Sequence, residues 1–100
     1  MSPAATVRRI ALDGELTVQS AAATRERLLA ALAGSDVLEL DLGGVAEFDS
    51  AGLQLLLAAR KSAQAAGKRM RLFRPPAAVV EVLEFLALGE AFDCVEEDEA

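Results

Sequence analysis

The sequence predicts an α/β domain, a mixed β-sheet of four to five strands with helices packed mainly on one face. Short β-prone runs alternate with helix-length apolar stretches in the order β-β-α-β-α-β-α-(β). Strands separated by helices call for parallel pairing through right-handed crossovers, and an early hairpin makes the sheet mixed. Hydrophobic residues are 53% and charged residues 26% of 100 residues, enough for one core without metals or disulfides and too little for two. Alanine and leucine dominate the apolar content, which favours helices over an all-β sandwich.

Residues 6–12 alternate loosely and read as the first strand. Asp13-Gly14 is a strong hairpin signal, followed by a short second strand, Glu15-Leu16-Thr17. Ser20 is placed to cap a helix over 21–33, with Ala21, Leu28, Leu29 and Leu32 as its core stripe and Gly34 as its stop. Residues 37–42 form the clearest strand: Leu38, Leu40 and Leu42 face one way, and Val37, Glu39 and Asp41 the other. A loop from Gly43-Gly44 runs into Asp49-Ser50, and a second helix follows over 51–66, closed by Gly67. Residues 69–73 make the next strand. Pro75-Pro76 opens a third helix with Val79, Val82, Leu83 and Leu86 at core spacing, and Leu88-Gly89 stops it. Residues 91–95 add a last short strand. The polar positions Glu39, Asp41, Arg69 and Arg71 predict one largely solvated sheet face.

The expected division is a flexible N-terminus over 1–5, one domain over 6–95 and an acidic tail over 96–100. Net charge is −6, and Glu96-Glu97-Asp98-Glu99 supply four of the negative charges. Arg60, Lys61, Lys68, Arg69, Arg71 and Arg74 fall in a stretch without acids. They suit either a binding patch or, for the first few, the favourable C-terminal end of a helix. The start of the chain has neither a basic opening nor an apolar run, and no uncharged stretch is long enough to span a bilayer. Cys94 is the single cysteine, so no internal disulfide forms and a reducing cytoplasm is expected.

Several chemistries are excluded outright. With no histidine there is no Ser-His-Asp or Cys-His relay and no histidine-bound zinc. No phosphate-binding glycine motif occurs, and the absence of Tyr and Trp argues against reading nucleic acid by base stacking. No cofactor, metal, nucleic acid or direct membrane insertion is expected, and no enzymatic turnover.

The informative stretch is Phe48-Asp49-Ser50-Ala51-Gly52-Leu53. Asp49 and Ser50 are both good N-cap residues, and Gly52 permits close approach in the first helical turn. A phosphate on Ser50 would meet free amides and the positive end of the helix while repelling Asp49, adding about −1.5 to −2 charges there. An ordinary cap is the alternative. Leu53, Leu55, Leu56 and Leu57 cannot share one stripe, so either the domain covers both sides of this helix or some leucines are exposed for docking.

Leu40-Asp41-Leu42-Gly43-Gly44-Val45 and Phe48-Asp49-Ser50-Ala51-Gly52-Leu53-Gln54-Leu55-Leu56 together resemble the signature of the STAS domain family. The resemblance extends to Asp13-Gly14-Glu15-Leu16-Thr17, to residues 67–73 and to residues 82–89. It implies an anti-sigma factor antagonist-like protein that binds an anti-sigma factor or GHKL-type serine kinase through the start of helix two. Phosphorylation of Ser50 would break that complex. The implied partner-binding residues are Asp49, Ser50, Ala51, Gly52, Leu53, Gln54 and Leu57. Many antagonists carry Ser or Thr where this chain has Ala51. Asp-Ser-Ala-Gly-Leu is also similar to chemotaxis-linked STAS proteins and to the small STAS subunit of phospholipid-transport ABC complexes, which clamps an ATPase.

Overall fold

The computed structural model describes residues 5–86 and 92–95. Along the chain they form β1 (Val7–Ala11), β2 (Gly14–Leu16), α1 (Ala21–Ala33), β3 (Val37–Asp41), β4 (Val45–Phe48), α2 (Ser50–Ala65), β5 (Arg69–Phe73), α3 (Ala77–Phe85) and β6 (Asp93–Val95). β1, β3, β5 and β6 make a four-stranded sheet in the order β1-β3-β5-β6, and β2 and β4 pair as a separate two-stranded sheet. Among the described residues every strand pair is parallel.

The alternation of β3 sorts the two sheet faces. Leu38 and Leu40 are fully buried and join Leu72 of β5, Leu28 and Leu32 of α1, Leu56 of α2 and Val79 of α3 in one core. On the other face Glu39 lies between two arginines, 2.9 Å from Arg9 and 3.0 Å from Arg71, while Asp41 takes Arg74 at 2.8 Å. The Arg9 guanidinium sits 4.0 Å and that of Arg74 5.3 Å from the Phe73 ring centroid, cation–π contacts that cover the ring on this face. Those ion pairs are partly solvated and contribute little stability individually; they organise the polar face that the sequence pattern predicts.

Asp13-Gly14 does not close a hairpin. Gly14 has the positive φ (81°) expected of a turn, yet its amide donates to the Gly44 carbonyl and β2 runs parallel to β4. The turn is a corner between sheets. A three-residue strand folded back on β1 would bury little, whereas beside β4 it carries Leu16 into the core under the start of α2. The stretch after Gly44, read as loop, is accordingly strand β4.

Helix ends also differ from the local reading. The Ser20 side chain makes no cap bond to α1. Its hydroxyl donates to the Glu15 carbonyl and accepts from the Thr17 amide, tightening the 17–20 turn. The buried stripe of α1 is Thr24, Leu28, Ala31 and Leu32, while Leu29 is exposed. In α3, Val79 and Leu83 are buried and Leu86 is exposed. The Leu88-Gly89 stop, the Ala91 start of the last strand, residues 1–4, the acidic tail and the surroundings of the Cys94 side chain lie outside the described residues.

The basic cluster is dispersed by the fold. Arg60 and Lys61 precede the last turn of α2, Lys68 Nζ donates to the Leu32 carbonyl, and Arg71 and Arg74 bind acids of the sheet. No helix among the described residues is long and apolar enough to cross a membrane.

Candidate functional site

The start of α2 lies where β4 ends, against the backbone of β2. Asp49 is extended (φ −129°, ψ −174°) and is the N-cap. One carboxylate oxygen accepts from the Gly52 amide at 3.1 Å, and the other accepts from the Val18 amide at 3.2 Å. A single side chain thus closes the first turn of α2 and ties it to the 17–20 turn ahead of α1. Charge-assisted bonds of this kind are stronger than neutral ones. The Asp49 amide donates to the Leu16 carbonyl at 3.4 Å, completing the join.

Hydrogen bonding from the Gly52 amide, helped by Val18 and opposed by desolvation, holds the Asp49 carboxyl below its ordinary 3.8. Because the folded-state value is depressed, the carboxylate stabilises the fold above pH 3.8, and that contribution fades as pH falls through the depressed value. Asp49→Asn should therefore melt below the parent protein at neutral pH, since an amide NH₂ then faces one of two N–H donors. Thermal melts taken down the acid range should show that gap narrowing; a gap independent of pH would remove the carboxylate from the account.

With Asp49 as the cap, Ser50 is the first residue of the helix and its side chain is exposed. Its hydroxyl therefore stands at the positive end of a 16-residue helix, where added negative charge is favoured by free amides and the dipole. Gly52 is buried, and a Cβ there would overlap the Leu16 carbonyl oxygen. The close approach permitted by this glycine is to the domain's own β2.

Of the seven residues expected to meet a partner, Asp49, Ser50 and Gln54 are exposed, and Ala51 and Leu57 are half-buried. Gly52 and Leu53 are buried. Leu53, Leu55 and Leu56 belong to the core and Leu57, half-buried, packs against it, so the domain covers both sides of α2. The face that remains includes residues the sequence reading passed over. Glu15, Thr17, Val18, Gln19, Glu47 and Asp49 line an open depression beside the cap. The signal in the sequence was slight: a valine within an otherwise polar turn. Among the described residues no group of three or more Cys, Asp or Glu is arranged to hold a metal ion.

Residues 3–96 match the family model described as "Mlab, STAS domain". The chain belongs to the STAS domain family. The fold agrees with solved members. The anti-sigma factor antagonist SpoIIAA in its unphosphorylated form is 25% identical, with 91% of this chain and 81% of that chain covered and a TM-score of 0.73. A putative anti-sigma factor antagonist from Thermotoga maritima is 22% identical over 89% of this chain and 80% of its own, with a TM-score of 0.79. Bacillus SpoIIAA in the phosphorylated form is 24% identical over 91% of this chain and 84% of its own, with a TM-score of 0.71. No curated protein matches this STAS chain.

Proposed function

We propose that this STAS protein is a cytoplasmic, anti-sigma factor antagonist-like switch without enzymatic turnover. It binds an anti-sigma factor or GHKL-type serine kinase through the start of α2, and phosphorylation of Ser50 releases the partner. The observation that carries this reading is the division of labour at the helix start. Asp49 does the capping, which leaves the Ser50 hydroxyl exposed and available for transfer of a phosphoryl group. Similarity to SpoIIAA, an anti-sigma factor antagonist solved in unphosphorylated and phosphorylated forms, supports it.

Incubation with ATP and cytosol of the source organism should place phosphate on Ser50, mapped by mass spectrometry. The phosphorylated protein should no longer retain the partner that the unphosphorylated one retains. Absence of phosphate at Ser50, or equal retention by both forms, would reject the switch. Ser50→Ala should fold normally, with stability within about 0.5 kcal/mol of the parent, because the side chain is exposed and is not the cap. It should bind constitutively.

Ala51 supports a second reading, a constitutive subunit clamping the ATPase of an ABC transporter. A stoichiometric ATPase in the pull-down, insensitive to Ser50 phosphorylation, would select it over the kinase.

A further inference from the structure

We infer that Val18 is the apolar anchor of the docking surface, and that it meets a socket on the partner protein flanked by Lys or Arg side chains. This rests on the reading of the start of α2 as the docking site and specifies the chemistry of its occupant. Leu53, Leu55 and Leu56 are committed to the core and Leu57 is half-buried against it, so α2 itself offers little apolar surface for a contact. Val18 is 70% exposed, with its own amide held by the Asp49 carboxylate.

The turn that carries Val18 is fixed on both sides. The Ser20 hydroxyl accepts from the Thr17 amide at 3.1 Å, and the Thr17 hydroxyl donates to Glu15 at 2.9 Å. A valine contributes nothing to such a turn, where small polar residues are favoured. Held rigid and pointing outward, it loses little conformational freedom on binding, which is what makes an anchor effective.

The rim decides the kind of partner. Glu15, Glu47 and Asp49 share the depression with Val18, and no Lys or Arg lines it. A same-sign rim attracts a basic surface and repels another copy of itself. A phosphate on Ser50 would add to that negative field, so its charge alone would not expel a basic partner.

The test places a photo-crosslinking p-benzoylphenylalanine at position 18 or at position 54 of the full chain, in cytosol of the source organism. Both positions should join the same protein. The peptide joined to position 18 should be apolar with flanking Lys or Arg. Val18→Ser should reduce crosslinking from position 54 about tenfold while leaving the melting temperature unchanged. Crosslinking from 54 but not from 18 would overturn the role of Val18 and leave the α2 reading standing. Failure at both positions would reject the α2 reading itself. An acidic peptide, or two copies of this chain joined through position 18, would overturn the basic partner.

Discussion

Leu53→Asp should unfold much of the protein at temperatures the parent tolerates, whatever it does to binding. Leu53 is only 9% exposed and belongs to the cluster that includes Leu16, Leu40 and Leu56. An aspartate there would either carry an unpaired charge into that core or take up a proton to avoid it. Leaving a buried charge without a partner costs about 3–5 kcal/mol. Small domains hold only about 5–15 kcal/mol in total, and each kcal/mol moves the melting temperature of a 60–100-residue domain by roughly 4–8 °C. A fall of roughly 12–40 °C in a circular-dichroism melt is expected on that scale. Gln54→Asp, on the exposed neighbour, should change stability by no more than about 0.5 kcal/mol. A near-parental melt for Leu53→Asp would mean that this leucine faces solvent and that the docking surface must be redrawn around it.

Gly52→Ala should be nearly as damaging, although it adds a single methyl group. In an exposed helix interior alanine would be the more stable choice. Here the new Cβ would overlap the Leu16 carbonyl oxygen and lie 3.0 Å from the Leu16 carbonyl carbon. Backbone, rather than a flexible side chain, would have to yield. Overpacking of this kind costs about 1–3 kcal/mol and sometimes more, and the upper end is expected because β2 is held by the Asp49 amide and by its ladder with β4. The same displacement would pull α2 from the 17–20 turn, so amide exchange at Val18 should accelerate alongside the loss in melting temperature. A melt equal to the parent's, with Val18 exchange unchanged, would show that β2 and α2 are not in such close register.

These two substitutions separate what is legible locally from what is not. Helix α1 over 21–33 and strand β5 over 69–73 match their sequence-based bounds, because glycines and turns punctuate them within a few residues. The alternation of Leu38, Leu40 and Leu42 against Val37, Glu39 and Asp41 likewise announces the core face of β3. The destination of β2 could not be read that way. Asp13-Gly14 carries the hairpin signature, and a corner between sheets uses the same positive φ at Gly14. Nor could the four leucines at 53, 55, 56 and 57 of α2 reveal that the domain covers both sides of the helix.

The sequence by itself determined the order of elements except for β4, the membership implied by the Asp49–Leu53 motif, the absence of histidine chemistry and the position of a hydroxyl at a helix start. All are properties of composition or of neighbours within a turn of one another. Tertiary structure alone decided that Asp49 rather than Ser50 is the cap, that Gly52 accommodates β2, that Leu53 is core and that Val18 is presented beside the site. All but the Asp49–Gly52 cap bond itself depend on contacts between elements far apart in the chain. The Val18–Asp49 hydrogen bond spans 31 residues, and no local propensity encodes which carboxylate will meet which amide once the two sheets have packed.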